Sequence, residues 1–205
     1  SILDQPAISD VERVYEESKA GMKELYGLEV LDSLNVNNTY TLSTTKEIAE
    51  KYGLKTISDL KKWNGRLRAT TTLTFLNREG GLPGVKALYG LEFAEETGVD
   101  GAPRYTALMS GEGDLIDAYS TDGLLKKFDL VVLEDDKQFF PSYLCGNVVR
   151  DEVLEAHPEL KNVFDKVTGL ISDSDMAQMN YAVESEGKDP RDVAEEFLDA
   201  HGLLQ

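Results

Sequence analysis

The chain has 205 residues, 41% of them apolar and 29% charged, which is ordinary globular usage for one to two domains with a core that needs no disulfide or metal staple. Its 21 Lys and Arg stand against 38 Asp and Glu, a formal charge of −17 that argues against nucleic acid as a partner, because phosphate binding takes clustered cations. No run of apolar residues reaches the roughly 18 needed to cross a bilayer.

Ser9-Asp10-Val11-Glu12 reads as a capping box opening a helix, with Val14, Tyr15, Met22 and Leu25 at helical spacing and Gly27 as its stop. A short apolar stretch over 28–31 precedes a strand over 36–42 that carries polar and aromatic residues. Helices follow over 45–52 and 58–63. The Thr-rich run 67–76 alternates as a strand and leads through Asn77-Arg78-Glu79-Gly80-Gly81-Leu82-Pro83-Gly84 into a helix with Pro83 in its first turn. A helix over 104–109, a strand over 115–119, a short helix opened by Ser120-Thr121-Asp122-Gly123 and a strand over 130–133 continue the alternation. The pattern predicts α/β layers around a mostly parallel sheet. From Arg150 the chain turns helical, over 151–156, 158–167, 172–183 and 190–200, the last capped by Asp189.

Reactive chemistry finds little support. Cys145 stands alone, so an internal disulfide and a cysteine-rich zinc site are excluded, and His157 and His201 sit at helix boundaries rather than in a metal-ligand spacing. The glycines of 80–84 lack both the P-loop ending and the dinucleotide spacing and read as a turn. Glu134-Asp135-Asp136 follows a strand end without a calcium loop and reads as a solvated turn. No nucleophile elbow is present. Tyr40, Tyr119 and Tyr143 are placed differently: each lies at the end of an element, where α/β folds bind ligands and a tyrosine face can meet a cation, although each taken alone also reads as an ordinary amphipathic packing residue.

Several long segments agree in order with one known family. Leu3-Asp4-Gln5-Pro6, Asn37-Asn38-Thr39-Tyr40, 75–84, Asp117-Ala118-Tyr119-Ser120-Thr121-Asp122-Gly123, 129–136, Phe139-Phe140-Pro141, Val148-Val149-Arg150, Met179-Asn180-Tyr181 and Gly187-Lys188 resemble the substrate-binding proteins of glycine betaine, carnitine and choline ABC transporters. The resemblance implies a two-lobed α/β fold of the periplasmic-binding-protein type II kind, hinged, that closes on a quaternary ammonium solute. It maps an aromatic cage onto Tyr40, Tyr119 and Tyr143, with Asn38 beside it and Arg78 pairing a ligand carboxylate. It implies no catalytic residue, no cofactor and no metal. The partner would be a membrane ABC permease, and the place extracytoplasmic and membrane-associated, by a lipid anchor or by fusion to the permease.

The chain departs from the family pattern at Asn38, where an acidic residue is common, and at Leu144-Cys145-Gly146-Asn147. Ergothioneine therefore stands beside glycine betaine, choline and carnitine as an alternative ligand. The resemblance begins part-way into the family domain and the chain opens at Ser1. The expectation is a processed, trimmed or excised segment in which 38–143 form a complete lobe and 1–37 with 144–205 the remainder of a second, incomplete one, with weak or no binding by the isolated piece. A ligand-sensing domain of a regulator, which uses the same architecture, is the competing reading.

Overall fold

The computed structural model describes residues 11–204, the side chain of Val11 excepted. The start of the capping box at Ser9 and the segment Leu3-Asp4-Gln5-Pro6 lie outside the described residues. Helix α1 (Val11–Tyr26) stops at Gly27, whose φ of 62° is the left-handed conformation that glycine adopts without steric cost. Strand β1 (Leu28–Asn37) is followed by β2 (Tyr40–Thr44), and the single strand expected over 36–42 is therefore corrected. The chain leaves one strand at Asn37 and enters another at Tyr40 because the two belong to different sheets.

Next come α2 (Lys46–Tyr52), capped by Thr45, and a 3-10 helix at Ile57–Trp63. The strand expected over 67–76 is also corrected: β3 (Arg68–Thr71) is short and gives way to α3 (Leu73–Asn77). The Thr72 hydroxyl accepts the Phe75 N–H at 3.2 Å, and this N-cap overrides the β preference of the threonines. Then follow α4 (Leu82–Tyr89), β4 (Glu95–Gly98), α5 (Pro103–Met109), β5 (Ile116–Tyr119), α6 (Gly123–Lys127) and β6 (Val131–Leu133). Strand β7 (Leu144–Arg150) and helices α7 (Asp151–Ala156), α8 (Glu159–Asp165), α9 (Asp173–Glu184) and α10 (Pro190–Ala200) complete the order.

The chain divides into two compact units, one running Tyr40–Phe140 and the other formed by the residues on either side of it. In the Tyr40–Phe140 unit, β2 is hydrogen-bonded between β5 and β6, antiparallel to both. Strands β3 and β4 pair in parallel, and a parallel bridge between Ala69 and Leu115 brings that pair to β5. The order is β4-β3-β5-β2-β6, with β2 running against the other four. The mostly parallel sheet expected from the alternation is thus interrupted at its centre, because β2 enters from the other unit rather than from a βαβ crossover. All five residues of β2 are buried. Its hydroxyls are satisfied: Thr41 donates to Ala118 O at 3.3 Å and Thr44 to Asp114 O at 2.7 Å. Tyr105 and Leu108 of α5 pack with Ile116 and Ala118 of β5, walled by Leu124, Leu125 and Phe128.

In the flanking unit, β1 and β7 form an antiparallel ribbon from Leu28 opposite Arg150 to Asn37 opposite Leu144. Its register shifts around Asn35, whose φ of 68° marks an irregularity unusual for a residue with a side chain. The Tyr15 hydroxyl of α1 donates to Leu31 O at 3.0 Å, and the Asn37 N–H donates to the Asp173 carboxylate of α9 at 2.7 Å.

Candidate functional site

Antiparallel register places Tyr40 and Tyr119 directly opposite each other, at the start of β2 and the end of β5. Their ring centroids are 4.6 Å apart with planes tilted by 32°, and the Tyr119 hydroxyl donates to the Tyr40 hydroxyl at 2.9 Å. An aromatic pair of this kind adds about 0.5 to 1.5 kcal/mol beyond its buried area. Burial and the bond to Tyr40 push the Tyr119 phenol well above its ordinary range, so the ring stays neutral at physiological pH. Its attraction for a cation is then that of the ring quadrupole, not of a phenolate.

Tyr40 is the centre of the cluster. Phe75 lies 5.1 Å away and Phe140 6.2 Å away, centroid to centroid, and the Arg78 guanidinium carbon is 5.8 Å from the Tyr40 centroid. Arg78 is exposed and has no carboxylate within ion-pair distance among the described residues. Three of the five residues expected at the site, Tyr40, Tyr119 and Arg78, therefore meet in one unit. Asn38 and Tyr143 belong to the other unit. There the Asn38 N–H donates to Tyr143 O at 3.1 Å, and the Asn37 side-chain oxygen accepts the Tyr143 N–H at 2.7 Å. Thr39 donates to Pro141 O at 3.1 Å, so 37–39 and 141–143 are bound side by side.

Local chemistry explains how each element arrives. The fully buried Asp117 carboxylate accepts the N–H and hydroxyl of Thr72 at 2.7 and 2.8 Å, fixing the start of α3. That helix carries Phe75 and ends at Arg78, whose N–H reaches Thr74 O at 3.2 Å. Burial raises the Asp117 pKa, and the bonds from Thr72 with the nearby Arg104 charge at 3.7 Å oppose the rise. Two of the glycines after Arg78 are steric: a Cβ on Gly81, just before α4, would collide with the Phe75 carbonyl, and one on Gly84, inside α4, with the Glu79 carbonyl. On the far side of Tyr40, Asp135 accepts the N–H groups of Phe139 and Phe140 at 3.0 and 2.8 Å and the Tyr89 hydroxyl. The acidic run 134–136 is the exposed turn expected of it at Glu134 and Asp136, but Asp135 between them is half-buried and structural. Asp135 anchors the Phe139-Phe140 pair, and Asp136 accepts the Ser58 N–H at 3.1 Å.

Phe75, Phe140, Asp117, Asp135 and Arg104 were not among the expected site residues, though all but Arg104 lie within the motifs of the family resemblance. Arg104 carries no local signal, since a buried cation becomes intelligible only with its partners. His157 and His201 cap the ends of α7 and α10, where they contact Glu159 at 3.2 Å and Phe197 O at 2.8 Å. Among the described residues no group of His, Cys, Asp and Glu could hold a metal ion, and no helix is long and apolar enough to cross a membrane.

The fold is that of the periplasmic-binding-protein-like α/β proteins. A solved structure described as a glycine betaine/carnitine/choline ABC transporter superposes with a TM-score of 0.85 at 39% identity, covering 100% of this chain and 75% of that one. The chain belongs to the family described as the substrate binding domain of the ABC-type glycine betaine transport system, which residues 6–200 match. A carnitine transport binding protein of Listeria monocytogenes is 35% identical over 99% of this chain and 66% of its own length. An ergothioneine transport permease/ergothioneine binding protein of Helicobacter pylori is 34% identical over 92% of this chain and 34% of its own length. The chain thus spans just under two thirds of the first relative and about a third of the second.

Proposed function

We propose that this chain is the solute-binding part of an ABC importer and that its solute is a quaternary ammonium compound of the glycine betaine, carnitine or choline class. The observation that carries the reading is the Tyr40–Tyr119 ring pair with the Arg78 guanidinium beside it. A trimethylammonium group has no N–H to donate, so only ring faces and close fit can hold it, at about 0.5 to 2 kcal/mol per ring. A guanidinium with no carboxylate partner among the described residues is the natural partner of a ligand's acid end, through a forked pair of charge-assisted hydrogen bonds. On this reading Tyr40 and Tyr119 hold the cation and Arg78 takes the carboxylate. Tyr143 and Asn38 enter as further ligand contacts on the ground of the family resemblance. The protein works outside the cytoplasm, associated with the membrane, and hands its solute to a permease. It binds and releases without turnover.

The test is a thermal-shift screen of the full-length protein against glycine betaine, carnitine, choline, proline betaine and ergothioneine. Ligand at 100 times its dissociation constant stabilises by about 2.7 kcal/mol, which moves the melting transition visibly. The expected result is a shift with at least one acid-bearing quaternary ammonium compound and a smaller one with choline, which offers Arg78 nothing. No shift with any of the five would contradict the reading.

A further inference from the structure

Tyr119 is the last residue of β5, where the ladder that fixes the strand runs out. Beyond it, Asp122 closes the turn Tyr119-Ser120-Thr121-Asp122 twice. Its own N–H donates to Tyr119 O at 2.9 Å, and its Oδ2 accepts the Tyr119 N–H at 3.0 Å. Asp122 also stands at the N-cap of α6, yet its side chain makes no capping bond there. The carboxylate is turned back toward the strand instead.

That carboxylate is itself held. The same Oδ2 accepts the Tyr105 hydroxyl at 2.7 Å and the Arg104 Nη2 at 3.2 Å. Arg104 is buried and pinned through Nη1 to Gly101 O at 2.7 Å and through Nε to Asp117 O at 2.9 Å. Its charge-assisted bond to Asp122 thus runs from a fixed donor to an acceptor with little freedom. The Tyr119 ring must keep its 4.6 Å spacing from Tyr40 and its hydroxyl bond to it. The Tyr119 backbone held by Asp122 is what carries the ring to that position.

We propose that Asp122 is a positioning residue for solute binding: held by Arg104 and Tyr105, its carboxylate clamps the Tyr119 backbone so that the ring meets the cation beside Tyr40. The inference rests on Tyr119 being a ligand contact. Asp122 acts through Tyr119 and needs no contact of its own with the solute.

The experiment is a double-mutant cycle read by calorimetry on the full-length protein with glycine betaine, and with carnitine where glycine betaine does not bind. Wild type, Asp122→Asn, Tyr119→Leu and the double variant are compared, each with its melting temperature. Asparagine keeps an acceptor but loses the charge that Arg104 holds. Asp122→Asn is expected to weaken affinity about fivefold in the wild-type background and by less than about twofold once Tyr119 is leucine. If Asp122→Asn does not fold, Tyr105→Phe, which removes one donor to the same oxygen, takes its place in the cycle with an expected loss of about threefold. Unchanged affinity in the substituted protein, or an equal loss in both backgrounds, would overturn the positioning role while leaving Tyr119 as a ligand contact. Unchanged affinity in Tyr119→Leu alone, or no binding by wild type of any of the five compounds of the thermal-shift screen, would overturn the functional reading and this inference with it.

Discussion

The Tyr40–Phe140 unit and the unit that flanks it in sequence are built on different principles. The first surrounds a five-strand order with fully buried side chains such as Phe75, Leu82, Val85, Leu115 and Ile116, and buries Asp117 and Arg104 among them with their partners satisfied. In the second, buried apolar side chains are sparse among the described residues: Leu31 and Val36 of β1, Ala182 of α9 and Val193 of α10, of which only Val36 is fully buried. Its β7 strand alternates between exposed and half-buried residues. Much of its helical surface is tied by ion pairs, including Lys23 and Lys161 to Glu29, Lys188 to Glu196 and Arg191 to Glu195. Exposed pairs of that kind contribute about 0 to 1 kcal/mol each. The difference teaches where rigidity resides: the unit that aligns Tyr40 with Tyr119 holds the larger share of the close packing.

Two valines on helices sharpen this contrast most. Val85 of α4 is 0% exposed and Val193 of α10 is 6% exposed, so the same truncation samples the two cores. Val85→Ala is expected to cost about 2.5 kcal/mol, the transfer of two methyl groups plus a cavity that rigid neighbours cannot close. Val193→Ala is expected to cost about 1 kcal/mol, since a looser surrounding collapses onto the gap. Denaturant unfolding followed by probes in each unit measures both. Equal costs would break the comparison.

Much of the secondary structure could be read locally, and the reason is capping chemistry. Helix α10 begins where Asp189-Pro190 said it should, and α9 opens on the Ser172 capping box, whose Asp175 N–H reaches the Ser172 hydroxyl at 3.1 Å. What local pattern does not encode is sheet membership. The break at Asn38-Thr39 divides what reads as one strand, because β1 and β2 pair with different partners. Strand β4, Glu95-Glu96-Thr97-Gly98, has no apolar alternation and exists through its pairing with β3. The site divides in the same way. The tyrosines and Arg78 were legible as residue types at element ends, whereas the pairing of Tyr40 with a residue 79 positions away is tertiary. The carboxylates that place them, Asp117, Asp122 and Asp135, stand in segments that local pattern reads as a strand, a helix start and a turn, and their donors are tertiary.

Acid gives a smaller test confined to the Tyr40–Phe140 unit. Burial raises the Asp114 pKa, but the bonds from the Arg68 side chain and N–H outweigh it, and the carboxyl ends below its ordinary value of 3.8. Three of those bonds are 2.8 to 3.0 Å long. A depressed carboxylate stabilises the fold above its unfolded pKa, and that contribution disappears as pH falls through the folded value. Asp114→Asn is therefore expected to cost about 1 kcal/mol at pH 7, discounted for the partly exposed guanidinium, with the gap to wild type narrowing below about pH 4. A gap that stays constant on acidification would show that the charge of Asp114 is not what stabilises this corner.

The most direct measurement is a calorimetric titration of the full-length protein with glycine betaine, wild type against Tyr119→Leu. Leucine keeps the bulk at the end of β5 and removes the aromatic face, so the account predicts an affinity at least about tenfold weaker, or about 1.4 kcal/mol. An unchanged dissociation constant in a folded Tyr119→Leu protein would contradict it, because the cation would then be held by something other than the Tyr40–Tyr119 pair.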